Sequence, residues 1–241
     1  MADIIQTNFK RYEKKYMLTG QQQENLMKQI TPYIKEDKFG RYTICNIYYD
    51  TEDWELIRRS IQKPVYKEKL RVRSYGVPAD DDKAFIEIKK KYKGIVYKRR
   101  ITVEAKDVEP ILTGGSGIEI KKSDEQIRNE IMWFQNFYRT QPGIFIGYDR
   151  QAFAGIEDSG LRITFDTNIR WRDEELDLRC GDYGQPVLQK QQILMEIKMP
   201  GTCPLWLAHI LNESGIYPTS FSKYGTCYKN FIINREGILS A

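Results

Sequence analysis

Apolar and polar positions alternate with a period of two through most of this chain, which predicts short strands with one apolar and one polar face. In residues 66–74 (YKEKLRVRS), Lys67, Lys69, Arg71 and Arg73 share a face. In residues 84–91 (AFIEIKKK), Glu87, Lys89 and Lys91 oppose Ile86 and Ile88. Residues 97–103 (YKRRITV) place Lys98, Arg100 and Thr102 against Ile101 and Val103. Near the N-terminus Arg11, Glu13 and Lys15 share a face. Farther on, Arg162, Thr164 and Asp166 alternate with Leu161, Ile163 and Phe165, and Glu196 and Lys198 oppose Met195, Ile197 and Met199.

Helical periodicity is rarer. Thr19–Gln22 has the form of a capping box ahead of Leu26, Met27 and Ile30, and Ser123–Gln126 has the same form ahead of Ile127, Ile131 and Phe134. Trp54, Ile57 and Ile61 make a third apolar stripe at helical spacing. Such stripes are packing faces rather than cofactor sites. Lys93-Gly94 reads as a turn between two strands, and Asp80–Asp82 as a solvated hairpin tip.

The strand faces carry an unusual charge pattern. Their polar positions are biased toward Lys and Arg, with acidic residues sparse among them, at Glu13, Glu87 and Glu196, one per strand. A solvated sheet face normally intersperses both signs. Two like charges about 6 Å apart at an effective dielectric of about 20 repel by roughly 3 kcal/mol, so an enclosed face of this kind opposes folding unless water, counter-ions or a bound polyanion relieve it. We therefore expect an α+β fold in which about eight antiparallel strands close into a barrel, the basic faces lining a tunnel and the helices packed outside. The sparse carboxylates then suit a divalent cation that bridges phosphate oxygens.

Composition narrows the alternatives. The 241 residues suit one domain spanning 1–241, and 41% apolar with 29% charged residues is ordinary for a globular protein. The net charge of +5 is a modest excess. No 18-residue apolar run or secretory leader is recognisable, so a cytoplasmic protein without direct membrane insertion is expected. Cys45, Cys180, Cys203 and Cys227 are too scattered for a zinc knuckle and read as buried free thiols. His209, the single histidine, lies in an apolar helical run, which argues against a histidine base. There is no GxxxxGK[ST] loop for a P-loop kinase, and Gly114–Gly117 lacks its lysine. Nucleic acid is disfavoured because aromatic residues do not interleave with the bases on the strand faces.

Several stretches, in order, resemble the VTC-type polyphosphate polymerase domain of the CYTH, or triphosphate tunnel metalloenzyme, superfamily. They are residues 9–16 (FKRYEKKY), 47–50 (IYYD), 70–76 (LRVRSYG), 85–89 (FIEIK), 97–100 (YKRR), 148–153 (YDRQAF), 162–168 (RITFDTN), 194–198 (LMEIK) and 221–224 (FSKY). The resemblance implies that Lys15, Arg71, Arg73, Lys89, Lys98, Arg150 and Lys223 are phosphate ligands. Among them Arg71, Arg73, Lys89 and Lys98 would act on the phosphates undergoing transfer. Glu196 matches a metal-binding carboxylate, with Glu13 a second candidate, and the metal would be Mn²⁺ or Mg²⁺. Arg11, Lys69, Arg100 and Lys198 would face the same phosphates. The hydrolytic branch typically has two glutamates before the first-strand lysine, whereas this chain reads Arg11-x-Glu13-x-Lys15. That departure favours a phosphotransferase, acting on ATP or another nucleoside triphosphate and on phosphate or polyphosphate. The alternatives are a triphosphate hydrolase on the same fold and a non-catalytic polyphosphate-binding module. The SPX domain and membrane helices of eukaryotic VTC proteins are not expected here.

Overall fold

The computed structural model describes residues 12–233 except 94, 116 and 119. Along the chain come strand β1 (Tyr12–Leu18), helix α1 (Gly20–Ile30) and the long strand β2 (Ile34–Asp50). Helix α2 (Glu55–Ile61), strands β3 (Tyr66–Tyr75), β4 (Lys83–Tyr92) and β5 (Ile95–Glu104), and helices α3 (Val108–Leu112) and α4 (Glu125–Tyr138) follow. The remainder is β6 (Gln141–Gly155), β7 (Arg162–Arg172), the two-residue β8 (Gln185–Pro186), β9 (Ile193–Met199), α5 (Leu205–Glu213) and α6 (Lys223–Cys227).

The hydrogen-bonded strand order is β1-β9-β7-β6-β2-β3-β4-β5, with β8 paired to β7 off this path. Among the described residues this nine-stranded antiparallel sheet begins at β1 and ends at β5 without pairing the two, so the expected closed barrel of about eight strands is not formed. The reason is instructive. Alternation fixes which side chains share a face, but an open sheet and a closed one obey the same parity.

Contacts divide the chain into two compact units, each with its own core. The first comprises Met1–Tyr42, Asp149–Asn168 and Leu188–Phe221. Here Leu26 and Ile30 of α1 and Leu207 and Leu211 of α5 pack with Ile163, Phe165, Met195 and Ile197. Thr19 completes its capping box, its hydroxyl accepting from the Gln22 amide at 3.2 Å while the Gln22 side chain accepts from the Thr19 amide at 3.0 Å. His209 lies exposed on α5.

The second unit comprises Thr43–Tyr148, Ile169–Val187 and Ser222–Ala241. Leu70, Val72, Ile86, Ile88 and Ile101, the apolar faces of β3–β5, bury against Ile131 and Phe134 of α4 and Ile111 of α3. Leu70 and Ile86 are wholly buried, and each such side chain stabilises the fold by about 1.5–3 kcal/mol. The capping box read at Ser123 does not form. Asp124 occupies the N-cap of α4 with no side-chain cap, and the Ser123 hydroxyl instead donates to Asp124 at 3.2 Å. Of the four thiols, Cys45 and Cys227 are buried, Cys203 is half-buried and Cys180 is exposed, so burial was over-read at the last two.

Candidate functional site

In the second unit the register assembles a ladder of bases. Lys69 pairs with Lys89, and Lys89 with Lys98. One rung along, about 6.6 Å at ordinary strand rise, Arg71 pairs with Glu87 and Glu87 with Arg100. The next rung is Arg73, Phe85 and Thr102. Seven predicted ligands belong to this unit, the six bases of these rungs and Lys223 at the start of α6.

Glu87 is the hinge of this group. It is almost wholly buried and takes Arg71 Nε at 2.6 Å on one oxygen and the Lys98 ammonium on the other. Burial alone would raise its pKa, but Arg71, Arg73 and Lys98 outweigh that and bring it down to about 2. Lys98 moves the other way. Desolvation exceeds the pull of Glu87, and with Arg71 and Arg73 nearby its pKa falls to about 8. Lys67 is also lowered, by burial first and then by Lys91, Lys89 and Lys63. Neighbouring cations add to burial in both shifts.

Beneath the cations lies a layer of tyrosines that the charge pattern does not reveal. Arg71 Nη1 lies 3.4 Å from the Tyr48 hydroxyl, and Arg73 Nη2 donates to the Tyr148 hydroxyl at 3.3 Å. Lys223 Nζ sits 4.3 Å from the Tyr148 ring centroid and Lys69 Nζ 5.5 Å from that of Tyr224. Tyr48 and Tyr224 stack at 4.6 Å. Burial would raise the Tyr48 pKa, yet Arg71 lowers it overall. Asn46 accepts from Arg73 Nε at 2.9 Å and donates to the Ile146 carbonyl at 2.9 Å. Parity in residues 45–50 does put Asn46 and Tyr48 on one face, whereas Tyr224 stands out only through the family-like stretch 221–224.

Asp50 anchors the layer. Its carboxylate accepts from the Tyr224 hydroxyl at 2.6 Å and from the amides of Leu56 at 2.8 Å and Ile57 at 3.0 Å. It thereby caps α2, which Trp54, in a left-handed conformation (φ 61°), does not do with its side chain. Desolvation raises the Asp50 pKa against these donors.

The first unit holds the other described ligands in a different arrangement. Lys15 pairs with Glu196, and Glu13 with Lys198, across β1 and β9. Lys15 Nζ lies 3.4 Å from Glu196 and 3.8 Å from Glu13, and donates to the Phe221 carbonyl at 3.0 Å. Lys198 lies 3.7 Å from Glu13. Arg150 binds Asp166 through two bonds, at 2.6 and 2.7 Å, and reaches Glu196 at 3.2 Å. Asp166 is wholly buried and its pairing with Arg150 was not foreseen. Arg11 lies outside the described residues.

The donor set in this unit bears on a metal. No group of three or more His, Cys, Asp or Glu side chains arranged to hold one occurs among the described residues. Glu13 and Glu196 offer two carboxylates, both partnered by Lys or Arg. That chemistry fits a hard cation which keeps waters and phosphate oxygens as its remaining ligands, rather than one caged by protein alone.

The VTC domain family profile matches residues 10–232. The chain belongs to the VTC domain family. This VTC domain is 26% identical over 188 residues to vacuolar transporter chaperone complex subunit 4 of Trypanosoma brucei brucei, covering 65% of the chain and 24% of that relative. It is 25% identical over 158 residues to the subunit 4 of Schizosaccharomyces pombe, covering 58% of the chain and 22% of the relative. The matched region therefore spans about a quarter of these relatives' length. Among solved structures, the Hippeastrum protein HpAC1, an assigned adenylyl cyclase with a dominant triphosphatase activity, shares the fold of the VTC domain. The TM-score is 0.50 and the identity 16%, over 93% of this chain and 95% of that one. The likeness is one of fold, over nearly the whole of both chains.

Proposed function

We propose that this VTC domain is a polyphosphate polymerase, transferring the γ-phosphate of a nucleoside triphosphate to phosphate or to the end of a polyphosphate chain. One observation carries the reading: a ladder of six bases on β3–β5 is built around a single buried carboxylate, Glu87. Membership of the VTC family and the likeness to two transporter chaperone subunits support it.

Phosphoryl transfer demands positioning and neutralisation of spread-out negative charge more than covalent help from the protein. Arg71 and Arg73 hold phosphate oxygens through paired N–H groups, and Lys69, Lys89 and Lys98 act as point charges along the same chain. The acceptor phosphate is already an anion, so no histidine base is needed. A Mn²⁺ or Mg²⁺ ion, where Glu196 and Glu13 hold one, would neutralise phosphate oxygens. In the cell the protein would meet its nucleotide in the cytoplasm.

The test is direct. Purified protein with ATP and Mn²⁺ is expected to yield ADP and acid-insoluble polyphosphate. Orthophosphate as the sole product would replace this reading by a hydrolase, and tight polyphosphate binding without turnover would replace it by a binding module.

A further inference from the structure

The end of the β4–β5 hairpin is poorly explained by phosphate binding. Every described residue from Lys91 to Lys98 is exposed. Tyr66, Tyr92 and Ile95 stand opposite one another in register, and Tyr97 shares their face. They are 38%, 46%, 49% and 54% exposed, and Val65 beside them is 64% exposed. This is the face opposite to Lys69, Lys89 and Lys98. Of the seven Lys or Arg between Ile88 and Thr102, Lys89, Lys98 and Arg100 belong to the ladder and Lys90 and Arg99 pair with Glu130, which leaves Lys91 and Lys93 at the tip. The chain turns at Lys93, held at φ 46° with its amide donating to the Val65 carbonyl at 3.0 Å and its ammonium 5.5 Å from the Tyr92 ring.

We infer that this hairpin end is a docking element for an anionic lipid surface. Amphipathic tyrosines and aliphatic side chains ringed by lysines suit the boundary between headgroups and acyl chains, the apolar tip entering it and the ammonium groups meeting lipid phosphates. A second copy of the chain fits less well, because pairing along β5 would set two such cationic strands against each other. A nucleic acid or polyphosphate makes no use of Ile95 or Val65. The tip residues 91–97 add nothing to the ligand set of the proposed transfer reaction, so the inference stands apart from that reading.

The experiment is co-sedimentation of the full chain with vesicles of phosphatidylcholine alone or mixed with phosphatidylserine. Binding to the mixed vesicles only, weakening as salt rises, is expected. Tyr92→Ser/Ile95→Ser/Tyr97→Ser is expected to abolish sedimentation while leaving turnover of soluble ATP unchanged. Lys93→Glu, which keeps the apolar tip, should weaken partitioning roughly tenfold. Saturating tripolyphosphate should leave most binding in place. The inference is overturned if wild type does not sediment with the mixed vesicles. It is equally overturned if the triple variant sediments like wild type, or if tripolyphosphate displaces the protein entirely, since lipid phosphates would then be occupying the basic ladder.

Discussion

The two units handle charge in opposite ways. On β3–β5, six bases surround one carboxylate, and the surplus is held up by tyrosines and an asparagine. Around Glu196, three bases (Lys15, Arg150 and Lys198) meet three acids (Glu13, Asp166 and Glu196), each within ion-pair distance of an opposite charge. The first arrangement carries a surplus of positive charge; the second balances its own. On the proposed reading the surplus is what an anion would neutralise.

That contrast can be broken by substitution. Arg150→Ala should cost about 3–5 kcal/mol of stability, because it removes the guanidinium that binds the buried Asp166 through two bonds. Denaturant unfolding would show it, and an unchanged midpoint would mean that the first unit is not self-compensated. Arg71→Ala should do the reverse, leaving the unfolding midpoint nearly in place since Lys98 still neutralises Glu87. Its turnover should drop about 10²–10³-fold, the usual loss for one charge-stabilising donor. Wild-type polyphosphate synthesis by this variant would remove Arg71 from the site.

Glu87→Gln sharpens the comparison. Without its carboxylate the ligand-free protein should lose about 1.5–3 kcal/mol, and added tripolyphosphate should restore more stability to it than to wild type. A thermal shift no larger than that of wild type would argue against anion binding there.

The smallest effect is on pH. Lys98 is charged below about 8 and neutral above it. Anion affinity measured by calorimetry should therefore decline as pH rises through 8, and Lys98→Arg should flatten the decline. The stability term has the opposite sign: a lysine depressed in the folded state and normal in the unfolded one binds fewer protons when folded. Its penalty is thus present below pH 8 and relieved as pH rises toward the ordinary lysine value.

Alternation alone placed Lys69, Arg71 and Arg73, then Lys89, then Lys98 and Arg100, on polar faces, because parity along a strand is a local property. It also separated Leu70 and Ile86 into the core. Parity is silent on partners, which is why the sheet was expected to close and does not. Nor could it show that Arg150 answers to Asp166, sixteen residues away on another strand. Ser123 illustrates a local competition: its hydroxyl had the right spacing for a cap but donates to its neighbour Asp124. Tyr224 lies in the family-like stretch 221–224, but nothing near it in sequence indicates its stacking partner Tyr48.

The bond from Lys15 to the Phe221 carbonyl closes a loop of 206 positions. At ordinary translation rates of about 5–20 residues per second, β1 would leave the ribosome roughly 10–40 s before its partner is made. Throughout that delay a strand edge bearing Tyr16 and Leu18 stays unsheltered, so nascent chains should depend on chaperone holding or slow elongation for soluble yield. Refolding from denaturant should be correspondingly unhurried, limited by the search for a distant partner rather than by helix formation.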